Sequence, residues 1–67
     1  MNIIKTQGNF GGNVYYMKLS LVKGRNLLIK NGWKACISPN YYNNGVNTGS
    51  YNKLTKTWYF DNNKMEN

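Results

Sequence analysis

Turn-forming residues cut this chain at such short intervals that most of the stretches between them are the length of a β-strand. Gly8, Gly11, Gly12 and Asn13 make one break, Lys23-Gly24-Arg25-Asn26 a second and Asn31-Gly32 a third. Residues 39–49 and 52–56 supply two more. Asn31-Gly32 matches a two-residue type I′ turn, which needs positive φ at both positions. It predicts a hairpin joining 27–30 to 33–38. Upstream, Tyr15, Met17, Leu19 and Leu21 alternate with Tyr16, Lys18 and Ser20, the period of a strand with one buried face, over 14–22. Downstream, SYNKLTKTWYF reads as a second hairpin turning at 52–56. With IIKT near the start, the expectation is an all-β fold of five to six short antiparallel strands, a small meander or partly closed barrel.

One alternative stands beside it, an α+β fold with a helix near residues 20–31. Ser20 would cap LVKGRNLLIK, and Gly32 would end it in the left-handed conformation. Against that helix stand Gly24 in its interior, costing about 1 kcal/mol relative to Ala, and Arg25 on its apolar stripe. Either way, 67 residues make one domain, which buries only about 60% of the surface its unfolded chain exposes. The expected domain is 1–60, with a polar, frayed tail at 61–67. Trp33 and Trp58 are core candidates, because a small domain needs its largest side chains inside.

Cys36 is a lone thiol, which excludes an intramolecular disulfide and suits a reducing cytoplasm. It is expected to pack as a small core residue. MNIIKTQGNF lacks the apolar stretch of a signal peptide, and no run is long enough to span a membrane. A cytoplasmic product with an intact start and no membrane partner is therefore expected. The thirteen Asn, with many Lys, Ile and Tyr, match an AT-rich coding sequence and suggest a viral or mobile-element origin.

Residues 1–60 carry eight Lys/Arg and no carboxylate side chain, the acids being Asp61 and Glu66, for a net charge of +7. Such a field projects outward and favours a polyanion. Histidine is absent, removing the commonest general base and metal ligand. No catalytic residues, metal site or cofactor are expected. GNFGGN at 8–13 is glycine-rich but lacks the Lys-Ser/Thr of a phosphate loop.

Cations interleaved with aromatics instead suit nucleic acid, held by phosphate charge and base stacking. The candidate phosphate contacts are Lys18, Lys23, Arg25, Lys30, Lys34, Lys53 and Lys56; the candidate stacking residues are Tyr16, Trp33, Tyr41 and Tyr42. Lys30 and Trp33 would be cross-strand partners in the expected Asn31-Gly32 hairpin. Of Tyr41 and Tyr42, in a polar stretch, at least one is expected to be exposed. DNA and RNA, single- and double-stranded, are equally compatible with the pattern. The rival partner is an acidic protein surface, with the chain as an interaction module or inhibitor of a host enzyme. Open sheet edges also offer a route to a homodimer. YYNNGV (41–46) resembles the YGNGV box of pediocin-like antimicrobial peptides. Here it stands mid-chain without paired cysteines, and it carries no family assignment.

Overall fold

Ser20 and Gly32 bracket a helix rather than a hairpin. In the computed structural model, which describes residues 4–11, 14–38 and 40–61, Ser20 adopts extended backbone (φ −61°, ψ 161°) and its hydroxyl accepts from the Lys23 amide at 3.2 Å. Helix α1 runs Leu21–Lys30. At its end the Gly32 amide donates to the Ile29 carbonyl at 3.0 Å and the Trp33 amide to the Leu28 carbonyl at 2.9 Å. This pair of bonds is the Schellman arrangement, with Leu28 and Trp33 both buried beside it. The expected 27–30/33–38 hairpin is thus overturned. A type I′ turn needs positive φ at both residues, whereas Asn31 sits at −97° and only Gly32 is positive, at 87°. Asn31 serves the helix as well, its side-chain amide donating to the Leu27 carbonyl at 2.8 Å.

The strands are β1 Gly8–Phe10, β2 Val14–Met17, β3 Lys34–Ala35, β4 Tyr41–Asn43, β5 Thr48–Asn52 and β6 Thr57–Asp61. They form one antiparallel sheet in the order β1-β2-β6-β5-β4-β3, open at both edges. The fold is therefore an antiparallel sheet with one short helix, a six-stranded form of the expected small β-rich domain. The chain leaves β2, one strand in from the β1 edge, crosses one face as α1, and returns as a meander from the far edge, so that β6 closes beside β2.

Asparagine side chains set two of the hairpin turns of that meander, β4 to β5 and β5 to β6. Asn44 Oδ1 accepts from the Val46 and Asn47 amides at 2.9 and 2.6 Å, with Gly45 at φ 91°. Asn52 Oδ1 accepts from the Leu54 and Thr55 amides at 2.8 and 3.2 Å, producing the expected turn between β5 and β6. The expected strand over 14–22 is shorter than its pattern. It stops at Met17, and Leu19 and Leu21 reach the core from the connection and the first turn of α1.

Pairing register assigns each strand residue to a face. Toward α1 point Met17, Trp58 and Tyr51 in one row, and Tyr15, Phe60, Gly49, Tyr42 and Ala35 in the next. With Ile4, Leu28 and Trp33, the large members of these rows form the core. Full burial of each large apolar side chain contributes about 1.5–3 kcal/mol.

Gly24 explains how a glycine came to sit inside the helix. A Cβ at that position would overlap Nε1 and Cδ1 of Trp58 and fall 2.5 Å from its Cε2. The indole thus lies directly on the helix backbone, and its Nε1 donates to the Ser20 carbonyl at 3.2 Å. The propensity cost of Gly24 is offset by contact with a fully enclosed indole.

Candidate functional site

A single helix covers one face of the sheet; the opposite face carries no helix among the described residues, and Thr57, on that face by register, is buried at its margin. Its central row, fixed by register, runs Tyr41, Ser50, Tyr59, Tyr16, Gly8 from β4 across to β1. Phe10 belongs to the same face through its pairing with Val14. The Phe10 and Tyr16 rings lie 4.6 Å apart between centroids, inclined by 31°, and Phe10 to Tyr59 is 6.1 Å. Phe10 is 54% exposed, whereas Tyr16, Tyr41 and Tyr59 are half-buried.

Gly8 positions this cluster. A Cβ there would stand 2.5 Å from Cζ and Oη of Tyr16, so the Tyr16 ring lies across the β1 backbone in the space a side chain would take. Phe10 then packs against that ring. The Tyr59 hydroxyl is held at 3.1 Å from Thr55 Oγ1.

The pleat separates the adjacent tyrosines expected to include an exposed one. Tyr41 lies on the open face, and Tyr42 is enclosed at 3% exposure, edge-on to Trp58 at 6.0 Å. Trp33 is likewise enclosed, 2% exposed and edge-on to Phe60 at 5.6 Å. Neither Trp33 nor Tyr42 is available as a stacking surface, because the helix side of the sheet is where the core forms. The expected side-by-side pairing of Lys30 with Trp33 lapses with the hairpin that would have produced it. Cys36 is exposed just past β3 rather than packed in the core.

The cations divide between two layers. Lys34 is on the open face, opposite Asn43 in β4. Lys18 follows Met17 at the end of β2, and Met17 pairs with Trp58. That end of the sheet also holds the 53–56 turn with Lys53 and Lys56, so these three exposed lysines share one margin. Lys23 and Lys30 are exposed on α1, with Arg25 half-buried, in the other layer. Asp61 is the one carboxylate among the described residues, at the opposite end of the open face from the 53–56 turn. Three strand spacings, about 14 Å, separate it from Lys34 in the same row.

Of the sequence candidates, then, Tyr16, Tyr41 and Lys34 come together on one face with Lys18, Lys53 and Lys56 at its margin, while Lys23, Arg25 and Lys30 lie apart. Phe10 and Tyr59 join them on that face without standing among the sequence candidates. Tyr59 was recoverable from parity, since it alternates with the core residues Trp58 and Phe60. Phe10 precedes a glycine run that hides its strand parity. No group of three or more His, Cys, Asp or Glu comes together among the described residues, and none of their helices is long and apolar enough to cross a membrane. No known protein family, curated protein or solved structure matches the chain.

Proposed function

We propose that this protein is a small nucleic-acid-binding module whose interface is the open face of its sheet. The observation that carries this reading is the Phe10–Tyr16–Tyr59 cluster on the open face together with Lys34 on that face and Lys18, Lys53 and Lys56 at its margin, in a chain whose first sixty residues hold no carboxylate side chain. Aromatic rings on a sheet offer surfaces for bases or sugars, and Lys18, Lys34, Lys53 and Lys56 offer charge to phosphates. Burying that charge against a polyanion answers the field that the chain does not neutralise internally.

Salt dependence tests the proposal. Each phosphate neutralised contributes a slope of about −0.7 to −0.9 in log affinity against log salt. Four lysines therefore predict a loss of roughly 50-fold or more between about 50 and 200 mM salt. A titration with labelled oligonucleotides at the two concentrations reads this directly. Absence of binding at the lower salt, or a flat response, refutes the reading.

A second reading rests on a different surface. Val22 and Ile29, two turns apart on α1, are each 53% exposed and flanked by exposed Lys23 and Lys30. Apolar residues rimmed by cations suit an acidic protein groove. Under this reading Val22→Asp abolishes capture of a nuclease-resistant protein partner and leaves oligonucleotide binding unchanged. Loss of oligonucleotide binding in that variant counts against it.

A further inference from the structure

The nucleic-acid reading leaves open whether the strand is paired, and the shape of the open face bears on that. In a duplex the base faces are occupied by one another, so rings lying on a sheet gain nothing from them. Duplex recognition by this fold would fall instead to α1, the element with the dimensions of a major groove. Yet the outward residues of α1 include the apolar pair Val22 and Ile29, while the aromatic surface lies on the other side of the sheet.

Resting on that reading, we infer that the open face takes a single strand, crossing the β-strands between two stacking positions. The first is the Phe10–Tyr16–Tyr59 cluster, with the exposed Phe10 ring as its outer surface. The second is Tyr41, two strand spacings from Tyr59 across Ser50, or about 10 Å. Ser50 carries no bulk to obstruct a chain passing between them. Lys18, Lys53 and Lys56 offer charge to phosphates along one margin of this path, and Lys34 does so along the other, three strand spacings from Asp61 in its row. Gly8 is a positioning residue: it lets the Tyr16 ring lie across β1 and support Phe10. Its φ is not in the positive range that excludes side chains. Alanine there meets only the far end of a movable side chain, so it displaces the ring without breaking the strand.

The test uses the full chain with a labelled oligothymidylate of about a dozen nucleotides, a length that covers the site of a single small sheet-based module, and the same strand annealed to its complement, both at low salt. The single strand is expected to bind at least tenfold tighter. Phe10→Ala and Tyr41→Ala should each weaken single-strand binding by about 5- to 150-fold, the loss of one base stack. Gly8→Ala should weaken it with the circular-dichroism melting curve retained. The paired change Lys23→Ala and Lys30→Ala should alter it by less than about threefold, since those side chains lie in the other layer. Duplex binding as tight as the single strand, with Phe10→Ala inert, overturns the inference and leaves nucleic-acid binding standing. Failure of both oligonucleotides to bind overturns the two together. Phe10 is exposed, so its replacement tests the site without risking the core.

Discussion

Gly24→Ala sets helix propensity against packing, and the structure says which wins. In an exposed helix this substitution stabilises by about 1 kcal/mol. Here the new methyl would coincide with the Trp58 indole, overlapping Nε1 and Cδ1 and approaching Cε2 to 2.5 Å. Trp58 cannot retreat easily, being fully enclosed and in ring contact with Tyr42 and Tyr51 at 6.0 and 5.4 Å. Overpacking of this kind costs about 1–3 kcal/mol. Moving the indole also strains or breaks the Nε1 bond to the Ser20 carbonyl, at about 1–3 kcal/mol if the donor stays buried without a partner. The balance is a net loss of roughly 1–5 kcal/mol, from the smallest and largest of those terms. For a domain of this size each kcal/mol lowers Tm by about 4–8 °C. Urea unfolding followed by tryptophan fluorescence measures the change. The double variant with Trp58→Phe should recover part of the loss, because the smaller ring vacates the space the methyl needs, giving a coupling energy of favourable sign. A Gly24→Ala protein as stable as the parent, or more so, refutes the argument that close approach of the indole is the reason for a glycine at that position.

Two other substitutions probe single features. Lys56 holds φ at 53° in the turn before β6. Lys56→Gly should relieve about 1–2 kcal/mol of left-handed strain and return about 0.4–1 kcal/mol in unfolded-chain entropy, for a small net gain visible as a higher denaturation midpoint. Among the described residues Trp33 Nε1 is buried without a hydrogen-bond partner, whereas that of Trp58 is bonded to Ser20. Trp33→Phe should therefore be less destabilising than Trp58→Phe by about 1 kcal/mol, and equal losses in parallel denaturations would count against this assignment.

Local chemistry made the β5–β6 hairpin readable, since turn residues and β-favouring residues there agree with the final packing. Asn31-Gly32 was ambiguous for a physical reason. Asn followed by Gly suits a type I′ turn and equally the end of a helix, and the decision between them is made by residues remote in sequence. Gly24 counts against a helix until Trp58 is known to rest on it. Trp33 looks like a strand residue until it closes on Leu28 past the helix end. The open face was half legible for the same reason. Parity could place Tyr59 opposite Trp58 and Phe60, and could separate Tyr41 from Tyr42, but it could not say which side the helix would cover. Cys36 was expected inside because the strand was expected to extend through 38. With β3 ending at Ala35, the thiol falls on a turn.

Three glycines lie against three rings, and the helix decides what each pairing does. Gly24 and Gly49 face the covered side, where removing a side chain lets Trp58 and Phe60 sink against backbone and be enclosed. Gly8 faces the other side, where the same device lays down Tyr16 and leaves Phe10 at the surface. Among the described residues one helix is available for two faces, so the exposed Phe10 on the open face is hydrophobic surface left in water. Glycines beneath rings on the covered side need no explanation beyond packing. On the open side packing alone would have favoured a polar strand there, as in other one-sided sheets. Retaining an aromatic cluster at that place, beside lysines in a chain whose first sixty residues hold no carboxylate side chain, is consistent with surface that a stacking, anionic ligand completes.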